Sequence, residues 1–270
     1  MDLTKFKHLF SVQGLVAVVT GAASGIGQAI SYVFAMNGGK VVASDINREG
    51  LETTLKNIKE NGGEAIGVLA DITNVEDVRK IKNEALNKYG KINAIYIVPG
   101  ISVRKPIEEL SYSEFDRIIE VNLKGHFIVL KELGPILKNN EDGGSIVLIS
   151  SIRGERADFG AAAYGASKAA LNILAKVAAL EWGKYKIRVN VIAPGPIDTP
   201  LFQKQYIDMK EWYDALIKRT ALRRLGKPEE VAGLAVFLAM PVASYITGTV
   251  IYVDGGYLGT EGTWVEPFQT

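Results

Sequence analysis

The chain has no cysteine among its 270 residues. Disulfides, cysteine nucleophiles and thiolate metal sites are therefore excluded. Histidine is nearly as scarce. His8 and His126 are the only two, too few and too far apart for a histidine-rich metal site, so no metal is expected. A charge bias is missing too. The 31 Lys and Arg meet 30 Asp and Glu, and a net charge of +1 gives no electrostatic ground for binding nucleic acid or an anionic membrane. No run approaches the roughly 18 consecutive apolar residues of a membrane span. The opening Met1-Asp2-Leu3-Thr4-Lys5-Phe6-Lys7 leads into no signal-type segment. A soluble, cytoplasmic protein is the expectation. No linker, internal repeat or low-complexity tract divides the chain, and its length suits one large domain.

What is present is alternation. Apolar, β-rich runs at residues 15–20, 40–45, 65–70, 92–98, 145–150, 187–192 and 249–253 alternate with helical patterns at 26–37, 48–61, 74–89, 111–137, 160–182 and 228–240. Ser111-x-x-Glu114 has the form of a capping box, and Gly134-Pro135 predicts a bend near the end of the helix it opens. Residues 201–220 read as a polar, amphipathic and mobile segment. Strands alternating with helices of this length predict βαβ units, hence an α/β doubly wound, seven-stranded, mostly parallel sheet with helices on both faces. A single domain over 1–256 follows, with a 14-residue tail at 257–270.

The first predicted strand runs into Thr20-Gly21-Ala22-Ala23-Ser24-Gly25-Ile26-Gly27, and a helix follows. Glycines at 21, 25 and 27 allow a tight turn and close approach to an anion, and a helix N-terminus offers free N–H groups to a pyrophosphate. The spacing is G-x-x-x-G-x-G rather than G-x-G-x-x-G. A plain tight turn is the competing reading. The second strand ends at Asp45, whose carboxylate suits two ribose hydroxyls and would repel a 2′-phosphate. No cation sits at Ser24 or directly after Asp45, and Arg48 is the nearest. NAD is favoured over NADP. A solvated strand-end carboxylate is the plainer alternative for Asp45.

Tyr164-Gly165-Ala166-Ser167-Lys168 lies early in the Ala-rich helix. Tyr164 and Lys168, at i and i+4, share a face, where an ammonium favours tyrosinate and prepares the phenol for proton transfer. Ser151 ends the fifth strand and is placed to hydrogen-bond the same substrate oxygen. Asn122, mid-helix, is either a solvated amide or the holder of a water that links Lys168 to solvent. A Tyr–Lys pair alone is most simply structural. Its combination with the loop, Asp45 and Ser151 carries the weight.

At this point the sequence resembles the short-chain dehydrogenase/reductase family over nearly its whole length. The resemblance rests on Thr20-Gly21-x-x-x-Gly25-x-Gly27, Asp71-Ile72, Val121-Asn122-Leu123, Ser151, Tyr164-x-x-x-Lys168, Asn190-x-x-x-Pro194-Gly195-Pro196-Ile197-x-Thr199, Ile246-Thr247-Gly248 and Val253-Asp254-Gly255-Gly256. It implies a Rossmann-type fold and a set of roles. Tyr164 would be the general acid/base. Lys168 would bind the nicotinamide ribose and depress the tyrosine pKa. Ser151 would orient the substrate oxygen, and Asn122 would hold the relay water. Asp71 would meet the adenine, and Ile197 and Thr199 the nicotinamide amide. The implied cofactor-binding set also includes Gly21, Ser24, Gly25, Ile26, Gly27, Asp45, Ile46, Ile72, Gly100, Pro194 and Gly195. The Tyr-x-x-x-Lys gap argues against the enoyl reductase branch, which uses a wider one. One departure stands out. Where the family has Asn-Asn-Ala-Gly, this chain has Ile97-Val98-Pro99-Gly100. Two amides give way to aliphatics, and apolar packing is the expected compensation.

For the substrate, Leu9-Phe10-Ser11-Val12-Gln13-Gly14, Gly100-Ile101-Ser102-Val103-Arg104-Lys105-Pro106 and Arg219-Thr220-Ala221-Leu222-Arg223-Arg224-Leu225-Gly226 are similar to the gluconate and deoxy-ketogluconate 5-dehydrogenases. Arg153 and Arg156, on the loop after Ser151, suit a carboxylate or a polyhydroxyl compound, or are simply solvated loop charges. Residues 201–212 fit a substrate lid, with Phe202, Tyr206 and Trp212 as pocket walls or as cover for a helix pair. Trp264, Pro267 and Phe268 make the tail too apolar to be solvated throughout, so it is expected at a subunit interface. The helix at 160–182 is apolar nearly all round and is read as buried in an oligomer interface. The resemblance implies a homotetramer. The leading expectation is an NAD-dependent oxidoreductase acting on a secondary alcohol or ketone of a sugar, sugar acid or polyol. The alternatives are a 3-oxoacyl or small-ketone reductase and, in another class, a non-catalytic NAD-sensing protein.

Overall fold

The seven apolar runs become seven strands, each too short and too β-branched to prefer a helix. A computed structural model describes residues 8–206 and 210–259, with the side chains of 205 and 206 excepted. The strands are β1 (Val16–Thr20), β2 (Lys40–Asp45), β3 (Glu64–Leu69), β4 (Ala94–Ile97), β5 (Gly144–Ile149), β6 (Ile187–Pro194) and β7 (Val250–Val253). The helices are α1 (Gly25–Met36), α2 (Arg48–Glu60), α3 (Val75–Tyr89), α4 (Tyr112–Ile119), α5 (His126–Leu133), α6 (Ala162–Trp182), α7 (Pro200–Tyr206), α8 (Lys210–Arg219) and α9 (Pro228–Ala239). All strand pairs are parallel, in the order β3-β2-β1-β4-β5-β6-β7. The order reverses between β1 and β4, and a crevice opens there at the carboxyl ends of the strands.

Side-chain alternation divides the core between the two faces of the sheet. On β1, Val16 and Val18 join one cluster and Ala17 and Val19 the other. On β4, Ile95 and Ile97 join the first, Ala94 and Tyr96 the second. Helices α3, α5 and α6 cover the first face, and α1, α2 and α9 the second. Each fully buried Val or Ile removed from water contributes roughly 1.5–3 kcal/mol. The aliphatic Ile97, where the family pattern has an amide, is fully buried in this core.

One expectation needs correction. The helix predicted over 111–137 is interrupted. After the Ser111–Glu114 capping box and α4, the chain widens to π geometry over Glu120–Gly125, resumes as α5 and tightens to a 3-10 turn over Gly134–Asn139. Gly134-Pro135 accounts for the tightening. The widening falls on Asn122, whose amide bonds outside the helix. Ile173, Val177 and Leu180 of α6 face outward from the single chain. Over the predicted amphipathic segment, the described residues form α7 and α8. The tail is only partly within view. Tyr257 is buried inside its own chain beside Ile152 and Leu216, and Leu258 packs there too, whereas Trp264, Pro267 and Phe268 lie outside the described residues.

Candidate active site

The glycine loop forms where β1 passes into α1. Gly21 and Gly25 have φ of +74° and +54°, a region that costs a side-chain-bearing residue energy. Gly27 is required for a different reason. A Cβ there would lie 2.1 Å from the Gly21 carbonyl oxygen, so only glycine lets α1 start against the strand end. Gly27 therefore shapes the loop without lining the cleft. Ser24 caps α1 by backbone geometry alone, and no acidic residue occupies the first turn. By contrast, α2, α3 and α4 are all capped by side chains. The N–H groups at the start of α1 thus keep the capacity to receive an anion. Asp45 pins the loop. Its carboxylate accepts the Ala23 N–H at 3.0 Å and the Asn47 N–H at 2.9 Å, leaving lone pairs on both oxygens.

A cleft of about 380 Å³ runs from this loop across the ends of the strands. Gly21, Ser24, Gly25, Ile26, Asp45, Ile46, Asp71, Ile72 and Gly100 line it, as do Pro194, Gly195, Ile197 and Thr199. Ser151, Arg153, Tyr164 and Lys168 stand in the same cleft. Its two ends differ in charge. Asp45 and Asp71 lie where β2 and β3 finish. Arg104, Arg153 and Lys168 lie near the end of β5 and the start of α6. Asp71 is preset by Thr73, whose N–H and hydroxyl both donate to Oδ1 at 2.8 Å.

Lys168 is held by stitching β5 to α6. Lys168 Nζ donates to the Ile149 carbonyl at 2.9 Å, and Ser150 Oγ donates to the Lys168 carbonyl at 2.9 Å. Burial, at 2% exposure, pushes the Lys168 ammonium down to about 7. Its Nζ lies 5.6 Å from the centre of the half-buried Tyr164 ring. Gly100 makes room for it, since a Cβ there would come within 3.2 Å of Nζ. Ser151 Oγ accepts the Arg153 N–H at 3.1 Å, which anchors the hydroxyl at the strand end.

Asn122 is fully buried and does not line the cleft. Its Oδ1 accepts the Ile101 N–H at 2.8 Å, and its Nδ2 donates to the Ile101 carbonyl at 2.9 Å and to Ser167 Oγ at 3.1 Å. The π turn aims the amide away from its own helix and onto the segment after β4. Behind it sits His126, fully buried, with neither ring nitrogen hydrogen-bonded in good geometry among the described residues. Burial holds this imidazole neutral, down to about 3, against a small opposing pull from the Val121 and Ile97 carbonyls.

The loop after Ser151 departs from expectation in one respect. Arg153 reaches the cleft and Arg156 does not, because the 3-10 turn Ile152–Gly154 closes with the Arg156 N–H on the Ile152 carbonyl and carries the chain away. Of the lid aromatics, Phe202 lines the cleft. Trp212 packs beside Ile152, Leu216 and Tyr257 instead, and the Tyr206 side chain lies outside the described residues. Sequence reasoning did not single out Arg104, Pro99 or Leu216 as cleft walls. Pro99 replaces an expected Ala and its ring lies against Gly21, 3.2 Å from where a Cβ would stand.

The family described as enoyl-(acyl carrier protein) reductase matches residues 21–258. The chain belongs to the short-chain dehydrogenase/reductase family. Among relatives of this dehydrogenase/reductase, the 3-oxoacyl-[acyl-carrier-protein] reductase FabG of Thermotoga maritima is 36% identical over 245 residues, covering 91% of this chain and 98% of that one. A structure provisionally assigned as a gluconate dehydrogenase from Agrobacterium tumefaciens superposes with a TM-score of 0.89 at 30% identity, over 94% of this chain and 100% of that one. A 7α-hydroxysteroid dehydrogenase complexed with NADH and 7-oxo glycochenodeoxycholic acid superposes with a TM-score of 0.87 at 33% identity, over 92% and 96%. Among the described residues, no cluster of three or more His, Asp or Glu could hold a metal, and no helix is long and apolar enough to cross a membrane.

Proposed function

We propose that the protein is an NAD-dependent dehydrogenase/reductase that interconverts a secondary alcohol and its ketone, with a sugar, sugar acid or polyol as the substrate class. The observation that carries this reading is the convergence of Ser151, Tyr164 and Lys168 on the cleft that begins at the glycine loop. The residues fit a dinucleotide: the uncapped start of α1 and the positive-φ glycines for its diphosphate, Asp45 for the adenosine ribose, Asp71 and Ile72 for the adenine. Pro194, Gly195, Ile197 and Thr199 are assigned to the nicotinamide. NAD, when bound, accepts or supplies the hydride. Tyr164 takes the alcohol proton through its phenolate oxygen in oxidation and returns it in reduction. Ser151 donates its hydroxyl hydrogen to the substrate oxygen and orients it. Lys168 makes the phenolate easier to form when charged, and its place beside neutrality lets it hand a proton onward. Asn122 keeps Ile101 and Gly100 in place beside Lys168.

Asp45 favours NAD, because a 2′-phosphate would be brought against its carboxylate. The similarity to FabG supports a second reading, a reductase of 3-oxoacyl or other small ketones. A sensor without turnover has no need of the proton-transfer residues. We place the enzyme in the cytoplasm, where a cysteine-free, NAD-dependent catalyst has its cofactor. Ile173, Val177 and Leu180 on α6, with Phe115 on the adjoining α4, leave apolar surface outside the single chain and support a homotetramer. Light scattering reads that mass directly. The activity test is absorbance at 340 nm with NAD and NADP in parallel, against sugars, sugar acids, polyols and simple secondary alcohols. NAD-linked turnover that disappears in Tyr164→Phe supports the reading, and inertness across the panel in both directions overturns it.

A further inference from the structure

We propose that Arg153 is a receptor for a carboxylate on the substrate, so that the enzyme selects hydroxy acids and their oxo forms over neutral alcohols. The inference rests on the alcohol–ketone reading above and names the substrate class of that same site.

Arg153 follows Ser151 by two residues, and both stand in the cleft with Tyr164. Its side chain is only 11% exposed. It is held firmly: Nη2 lies 3.0 Å from Asp158 and 3.3 Å from the Tyr257 hydroxyl, and the guanidinium stacks over the Tyr257 ring at 5.4 Å. Both contacts use Nη2. Nε and Nη1 have no hydrogen-bond partner among the described residues, and neither is sealed in the interior. A guanidinium presents five N–H donors in a rigid fork matched to a carboxylate. One that is nearly desolvated, with donors unused and turned to a cleft, is best completed by an anion.

Asp158 does not cancel this charge, because it is shared. The same carboxylate oxygen that pairs with Arg153 also pairs with Arg104, which lines the cleft and stacks on Trp212 at 4.9 Å. Asp158, 9% exposed, is thus a buried brace between two guanidiniums. Apolar walls from Ile152, Phe202 and Leu216 border this end of the cleft and lower the local dielectric, which strengthens any charge pairing there. The carboxylates of the cleft itself, Asp45 and Asp71, lie at the far end. Tyr257 is a positioning residue. It is buried, and its ring also carries Arg219 at 4.9 Å.

The test compares substrates that differ in whether they carry a carboxylate: gluconate against glucitol, and 4-hydroxycyclohexanecarboxylate against its methyl ester. Initial rates are measured with NAD for the wild type, Arg153→Met and Arg153→Lys, each checked for an unchanged melting profile. In at least one pair the acid is expected to exceed its neutral partner tenfold or more in kcat/KM. Arg153→Met is expected to cut that ratio at least tenfold, mainly through KM, and Arg153→Lys to restore part of it. Neutral partners that serve as well as the acids, or an Arg153→Met variant that lowers both members of a pair alike, would overturn the inference and leave the oxidoreductase reading standing. Calorimetry of the two acids into the enzyme–NADH complex separates the remaining outcomes. Arg153-dependent binding without turnover supports the carboxylate site and removes these two acids as substrates. No binding and no turnover of either acid overturn the inference and leave the oxidoreductase reading to the wider panel.

Discussion

At the end of the cleft bounded by β1, β2 and β3 the protein presents mainly backbone, and at the end bounded by β5, α6 and α8 it presents side chains. The first end is assembled from neighbours in sequence. Gly21 to Gly27 form the turn, and Asp45 reaches back 22 residues to hold Ala23. The second end draws Arg104, Ser151, Arg153, Asp158, Tyr164, Trp212 and Tyr257 from separate elements. A dinucleotide offers the same phosphates and ribose wherever it binds, so a backbone cradle serves. A substrate must be distinguished from its analogues, which requires side-chain chemistry that varies. If this division of labour holds, damage to one end leaves the function of the other intact.

The largest expected effect is at the side-chain end. Tyr164→Phe should lower kcat by about a thousandfold or more, the upper range for loss of a general acid/base. NADH affinity, read by fluorescence titration, should stay within about threefold, since binding energy comes chiefly from the other end. A comparable loss of NADH binding would erase the distinction between the ends. Next, Gly27→Ala forces a Cβ to within 2.1 Å of a backbone oxygen. It should cost about 3 kcal/mol in denaturant titration, at the upper end for overpacking, and weaken NADH binding with it.

A smaller effect sharpens the comparison. Asp45→Ser should shift the NAD/NADP ratio of kcat/KM toward NADP by about tenfold or more, on the order of one lost charge repulsion. It should leave the ranking of alcohol substrates as it was, and steady-state kinetics with both cofactors read the two properties together. The smallest effect is on stability. Burial pushes the Lys168 ammonium down to about 7, from about 10.5 for a lysine in water. The unfolded chain therefore binds the extra proton across that window, so this group's penalty is full below about pH 7 and is relieved as pH rises toward 10.5. The apoenzyme should gain stability over that range relative to Lys168→Met, with a slope of at most about 1.4 kcal/mol per pH unit. Parallel pH profiles for the two proteins would mean that the ammonium is not desolvated.

Much of this was legible along the chain, for a physical reason that differs by element. The strands were visible because a parallel sheet covered on both faces needs unbroken apolar runs, as in Val16 to Val19. The glycine loop was visible because glycine spacing records backbone geometry that only glycine tolerates. Tyr164 and Lys168 were visible because one helical turn joins them. The π turn at Glu120–Gly125 was not visible. Nothing local marks it, and it exists so that Asn122 can clamp Ile101, 21 residues away. Arg153 and Arg156 looked alike until the Ile152–Gly154 turn placed one in the cleft and the other out of it. Ile97, an apparent departure, is accounted for by the core it fills.

The sequence by itself determined the strand–helix alternation, the parallel sheet and its glycine-rich turn, and the placing of Tyr164 and Lys168 on one helix face. These depend on residues within a turn or a strand of one another, where periodicity and backbone preference act directly. Only the tertiary structure decided which arginine meets the cleft, that Asp158 braces two guanidiniums, and that Tyr257 belongs to the site of its own chain. Those contacts join residues as far apart as Arg153 and Tyr257, separated by 104 positions. No local preference encodes such a distance. It is set by how the packed layers bring loop ends together over one end of the sheet.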